Sequence, residues 1–301
     1  MFSSIHILTA VSLAGSVSLA WSEAPERPPI VGVAHIALET NDMAAEQAFY
    51  GAGLGFAELV PGRFKVNDHQ YINVSPNLKS ETQDRLDDIA FETTNLEKLR
   101  TYLAARGVAV PATVKADADG NLNLLLTDPD GHTVEFVQYM KGSLQSRSFG
   151  KLMPEARVSK RIIHVGVTVR DRAAADRFYK DILGFKLTWY GGPTEDSVKW
   201  VDMRVPEGSD WLEYMLISST PTPKQLGVLH HLALGVPDMK AGFKIVTSRG
   251  ITAPQPPKIG RDGKWQLNLY DVNYTRTELM EPKPVETPCC SVYVNSVAMR
   301  K

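Results

Sequence analysis

Residues 164–185 read HVGVTVRDRAAADRFYKDILGF, and residues 35–56 read HIALETNDMAAEQAFYGAGLGF. Both open on a histidine, reach Phe-Tyr 14 positions later (Phe49-Tyr50; Phe178-Tyr179) and close on Leu-Gly-Phe at position 21 (Phe56; Phe185). Each begins with the apolar–polar alternation of a strand, passes into a helix-like run and stops at a glycine turn. Further along, Asp128 stands seven residues before Glu135, Asp271 stands seven before Glu278, and Arg106-Gly107 answers Arg249-Gly250. A repeat that carries His and Glu at fixed places predicts a duplicated fold with a site built between its copies.

Strands are expected to open four modules at residues 33–40, 86–92, 162–170 and 228–236. Helices follow at 41–51, 95–106, 171–182 and 238–249, each with an acidic residue or Asn near its start. Shorter strands are expected at 65–74, 121–127, 132–139, 197–205, 211–218, 265–270 and 275–280. The unit reads β-α-β-β-β four times, an α+β class with modules paired into two domains, 30–142 and 161–283. The polar, Gly/Ser-bearing stretch 143–160 suits a linker, and 284–301 reads as an irregular Pro-rich tail.

The chain has 301 residues, 43% of them hydrophobic, and a formal charge of −1, enough for two cores. Without basic runs there is no electrostatic case for a nucleic acid or an anionic membrane as partner. The first 24 residues differ in kind: Ile5 to Trp21 is apolar and uncharged, resembles a secretory signal, and predicts export. After its removal no segment is apolar enough to cross a bilayer. The two cysteines, Cys289 and Cys290, are adjacent, and neighbouring cysteines rarely bond each other, so an inert pair is expected and no Cys-based zinc site.

The paired Phe-Tyr, Leu-Gly-Phe and Asp/Glu signatures across residues 31–282 resemble the vicinal oxygen chelate superfamily, which includes glyoxalase I, methylmalonyl-CoA epimerase, extradiol dioxygenases and bleomycin-resistance proteins. The resemblance implies glyoxalase-like half-barrels, each made from two βαβββ modules, with a metal held by residues on the first and last strands of each module.

Strand alternation tests that expectation independently. In 162–170, Val165, Val167 and Val169 point toward the helix, leaving His164, Gly166 and Thr168 on the other face. Likewise Leu232, Leu234 and Val236 leave His231 with Ala233 and Gly235. Each histidine shares its face with small residues, which leaves room for a ligand. Glu213 and Glu278 sit inside apolar strands, where a carboxylate is costly unless paired or metal-bound. His164, Glu213, His231 and Glu278 therefore form the candidate metal set, for one divalent Zn, Ni, Co, Mn or Fe ion per chain. In the N-terminal half the matching positions are His35, Asn73 or a neighbour, Asp88 and Glu135, read as a degenerate second site, a scaffold or a second pocket. His230 is expected to face away from His231, and His69 and His132 to be solvated in turns. Arg261 or Lys264, in a charged hairpin loop, could hold an anionic substrate. Of Trp200, Trp211, Tyr214, Trp265 and Tyr270, half should face the cavity.

A metal with open positions can hold two neighbouring oxygens of a small-molecule substrate and stabilise an enolate, with Glu213 or Glu278 as the base. In the extradiol dioxygenases the ligands would correspond to His164, His231 and Glu278, leaving Glu213 as an extra carboxylate. The four-ligand count therefore predicts a glyoxalase-like lyase or isomerase. An iron-dependent dioxygenase and a metal-free binding protein are the alternatives. The oligomeric state is left open.

Overall fold

The computed structural model describes residues 25–294. The predicted signal segment, 1–24, lies outside the described residues. No helix among those described is long and apolar enough to cross a membrane.

The first half supplies β1 (Ile30–Glu39), β2 (Ala57–Val60), β3 (Arg63–Lys65), β4 (Tyr71–Ser75), β5 (Leu86–Thr93), β6 (Lys115–Ala116), β7 (Leu122–Thr127) and β8 (Thr133–Gln138). The second half repeats the pattern. It supplies β9 (Ile162–Val169), β10 (Lys186–Gly191), β11 (Trp200–Arg204), β12 (Trp211–Leu216), β13 (His231–Gly235), β14 (Lys258–Ile259), β15 (Trp265–Tyr270) and β16 (Arg276–Met280). Each half forms one eight-stranded sheet, in the orders β2-β3-β4-β1-β5-β8-β7-β6 and β10-β11-β12-β9-β13-β16-β15-β14. The opening strands of paired modules, β1 with β5 and β9 with β13, run antiparallel at the centre. Each opening strand also pairs in parallel with the last strand of its own module, β1 with β4, β5 with β8, β9 with β12 and β13 with β16, so one face of each sheet collects their side chains.

The helices follow their expected signals. Asp42, Asn95, Asp171 and Asp238 each accept the backbone N–H three residues on, satisfying a donor that a helix start leaves free. Two of the stops, Gly107 and Gly250, adopt φ of 76° and 84°, which a side chain would strain. In modules one and three the helix passes into π-helical turns, Gln47–Gly53 and Asp176–Ile182, that carry the repeated Phe-Tyr. These motifs meet the repeated aspartates across the two domains. The Tyr50 hydroxyl donates to Asp271 Oδ2 at 3.2 Å, and the Tyr179 hydroxyl to Asp128 Oδ2 at 2.9 Å. The aspartates of the Asp-to-Glu spacing thus tie the halves together, while the glutamates point into the sheets' concave faces.

Val165, Val167, Val169, Leu232, Leu234 and Val236 all join the core, as the alternation requires. Four details differ from the sequence reading. Residues 65–74 are not one strand but two, β3 and β4, separated by a turn in which Val66 N–H donates to Gln70 O. A helix, Pro223–Leu229, occupies the start of the stretch read as a strand at 228–236. The linker carries a short helix, Leu144–Arg147. Cys289 and Cys290, expected to be unbonded, form a disulfide. Their segment lies against the second half, with Cys289 N–H on Arg261 O and the Trp189 indole on Cys289 O.

Candidate metal centre

Four strands converge on one point of the second sheet. His231 stands opposite Gly166 and His164 opposite Ala233 on the antiparallel pair β9–β13. β12 sets Glu213 beside Gly166, and β16 sets Glu278 beside Ala233. Gly166 is essential to this arrangement. A Cβ there would collide with His231 Cε1 and Nδ1 and lie 2.9 Å from Nε2, so only glycine leaves room for the ring.

His164 Nε2 and His231 Nε2 face each other at 3.1 Å. Glu278 Oε2 is 3.6 Å from His164 Nε2, and Glu213 Oε2 is 3.1 Å from His231 Nε2 and 3.8 Å from His164 Nε2. Two donors each ~2.0–2.1 Å from a shared ion are about 2.8–3.4 Å apart at angles of 90–110°. His164, His231 and Glu278 are all buried, and each offers an atom within 4.8 Å of the others. Glu213 borders this compact trio on the His231 side and remains partly open to the cavity, its side chain 14% exposed.

The electrostatics fit a cation. His231 Nδ1 lies 2.9 Å from Leu229 O, which fixes the tautomer with its proton on Nδ1 and turns the Nε2 lone pair into the site. Burial pushes both imidazoles well below their ordinary value, so they stand as neutral donors. Burial also pushes Glu278 up to about 7 and holds Asp202, directly opposite Glu213, well above the usual carboxylate range. Arg276 places a positive group in this nest. Its Nη2 donates to His231 Nε2 at 2.8 Å, the same lone pair a metal would use, and lies 4.0 Å from Glu213 Oε2. The residues present therefore suit a divalent metal, whose identity the donor set leaves open.

A cavity of about 280 Å³ opens onto His164, Glu213 and Glu278, walled by Trp189, Trp200 and Trp211 and edged by Asp202, Arg261 and Arg276. Trp200 and Trp211 face it, while Tyr214 belongs to the core. Arg261 lines the rim and directs Nη2 to Cys289 Sγ. Lys264 does not serve as a rim contact: its ammonium is buried 3.3 Å from Asp262 Oδ2 and 4.6 Å from the Trp211 ring centre. Asp202, Arg276 and Trp189 went unread in the sequence. Period two could have found Arg276, two residues before Glu278 on the same strand. Asp202 required the β11–β12 register.

His230 turns away from His231, as expected, and bonds Thr168 Oγ1 at 2.9 Å and Asp84 Oδ1 at 3.0 Å. His132, expected in solvent, is mostly covered between the halves, its side chain 10% exposed, bonded to Asp128 Oδ2 at 2.9 Å and Thr168 Oγ1 at 3.1 Å. The strand partners that cover it come from the other domain. His69 is half exposed.

In the first sheet His35 Nε2 lies 2.9 Å from Asp88 Oδ1 and 3.6 Å from Glu135 Oε2. Asn73 lines the same cavity, with its Oδ1 accepting from Arg63 Nε at 3.2 Å.

Two duplicated half-barrels with a His/His/Glu nest in the second define a two-domain metalloprotein. The family described as the Glyoxalase/Bleomycin resistance protein/Dioxygenase superfamily matches residues 32–136 and 161–271, and the chain belongs to it, within the vicinal oxygen chelate fold. A curated relative, an iron-dependent extradiol dioxygenase of Rhodococcus jostii (strain RHA1), is 26% identical over 225 residues, covering 67% of this chain and 71% of its own. Among solved structures, the Mn(II)-bound glyoxalase of Novosphingobium aromaticivorans matches with a TM-score of 0.65 at 18% identity, over 84% of this chain and 83% of that one. Homoprotocatechuate 2,3-dioxygenase of Brevibacterium fuscum, in complex with 3,4-dihydroxyphenylacetate, matches with 0.63 at 18%, over 88% and 84%. At those identities the structures speak for the fold alone.

Proposed function

We propose that the chain is an extradiol-type, iron-dependent dioxygenase acting on a small aromatic substrate with two neighbouring hydroxyl oxygens. The observation that carries this reading is the buried His164/His231/Glu278 trio, two of whose members line a tryptophan-walled cavity. Two histidines and one carboxylate with open positions are the donor set of non-haem Fe(II) oxygenases. The dioxygenase relative supports it, and together these favour the dioxygenase over the lyase or isomerase that the four-ligand count predicts.

His164, His231 and Glu278 would hold the ion, and a ferrous ion there would supply the redox chemistry by which dioxygen reacts with an aromatic diol. The chain's own residues do the rest. Trp189, Trp200 and Trp211 offer apolar faces to orient a flat ring and keep water from it. Glu213, beside His231 and open to the cavity, stands ready to take a proton from a substrate hydroxyl. Arg276 and Arg261 provide positive charge for an anionic diol or for a carboxylate on its ring.

Glu213 also favours a second reading, since 3.1 Å from His231 Nε2 it lies close enough to be a fourth ligand. One experiment separates the two. Ferrous-loaded protein given catechols should consume oxygen and yield coloured ring-opened product, and Glu213→Ala should retain metal while turnover falls. Loss of the metal in Glu213→Ala, with no oxygen uptake by the parent, would favour the four-ligand lyase.

A further inference from the structure

The first half departs from the second at two positions that touch each other. Asp88 stands opposite Ala37 on the β1–β5 pair just as His231 stands opposite Gly166 on β9–β13. Ala90 links His35 to Glu135 across the sheet just as Ala233 links His164 to Glu278. In the second half glycine is required because a methyl at 166 would collide with the His231 ring. In the first half that methyl is present, on Ala37, and the residue facing it is an aspartate. The shorter side chain fits where an imidazole would not. It still brings a donor to the same place, with Oδ1 2.9 Å from His35 Nε2. A site that had merely decayed would lose its donor. Here the donor changes in step with the space available to it.

The surroundings also favour a cation. The cavity over this trio measures about 380 Å³, and Asp87, Asp117 and Asp119 share its wall with Asp88 and Glu135. Arg63 is the one basic side chain on that wall among the described residues, and it is paired with Asp119. The Glu135 side chain makes no hydrogen bond among the described residues and approaches His35 Nε2 at 3.6 Å. We propose that His35, Asp88 and Glu135 hold a second divalent cation, chemically distinct from the first. One imidazole with two carboxylates suits an ion that prefers oxygen donors, Mn²⁺ above all, whereas the two imidazoles of the second half suit Fe²⁺, Ni²⁺ or Zn²⁺.

The test is a count of bound Mn²⁺ on the full chain, stripped with chelator, titrated and measured by elemental analysis and by the Mn²⁺ electron paramagnetic resonance signal. Circular dichroism and thermal melting verify the fold of each variant. Wild type should bind two equivalents. His231→Ala and Asp88→Ala should each retain one, and the combination none. Glu135→Gln provides the same single loss if Asp88→Ala does not fold. Asp88→His alone should lose the second equivalent, because the Ala37 methyl crowds the ring, while Ala37→Gly with Asp88→His should recover it. One equivalent at saturation in wild type, or two in folded Asp88→Ala, would overturn the proposal. So would an Asp88→His chain that binds as well as the paired variant.

Discussion

Gly166→Ala is the smallest change that should empty the C-terminal site. The added methyl would fall inside the contact distance of His231 Cε1 and Nδ1 and only 2.9 Å from Nε2. Carbon atoms settle at ~3.5–4.0 Å, so the ring must move by about 1 Å or more. Retreat is restrained because Nδ1 is held by Leu229 O and the whole residue is buried. Metal–donor distances tolerate about ±0.2 Å, so a shift of that size removes one donor of the trio. Loss of binding by about 100-fold, or ~2.7 kcal/mol, is expected. The assay is competition with a fluorescent chelator, run on an Asp88→Ala background so that one site is counted. Adding His231→Asp, which reproduces the pairing of Ala37 with Asp88, should restore part of the affinity. Folded Gly166→Ala that binds within threefold of its parent would refute the reasoning.

Three further outcomes follow from the same geometry. Arg276→Ala should bind metal more tightly, by about tenfold, because its guanidinium no longer competes for the His231 Nε2 lone pair or repels the ion; weaker binding in the same competition assay would count against that role. Tyr179→Phe leaves Asp128 Oδ2 short of a buried donor and should cost about 1–3 kcal/mol of stability in urea unfolding. Burial alone would lower the His132 imidazole, yet its bond to Asp128, aided by the charges of Asp130 and Asp84, holds it above 6.5 in the folded chain. Thr168 and the His230 ring complete its surroundings. Its stabilising contribution is therefore full below pH 6.5 and is lost as pH rises through the folded value. Urea unfolding across pH should show that loss in wild type and not in His132→Gln.

The modules and the meeting of His164, His231 and Glu278 on one face were legible because both rest on period two. Val165, Val167 and Val169 had to face the helix, so His164 had to face the cavity. The turn inside 65–74 was hidden because Val66 is apolar and buried, while the residues that reverse the chain, Asn67 and Gln70, bond each other only in space. The helix Pro223–Leu229 did carry a readable signal, Thr222 capped reciprocally with Gln225 and followed by proline. It was masked by the apolar run that joins it to β13. The covering of His132 could not be read, since Thr168 and Tyr179 reach it and its partner Asp128 from the other domain. The Cys289–Cys290 bond was obscured for a different reason: adjacency argues against closure unless a surface such as the Arg261 loop holds the segment.

The most direct measurement is an anomalous-scattering map from crystals of the full chain loaded anaerobically with Fe²⁺. The account predicts a peak in the second sheet within about 2.0–2.3 Å of His164 Nε2, His231 Nε2 and a Glu278 carboxylate oxygen. A saturated crystal with no density at that point, or with the iron bound by other side chains, would contradict it.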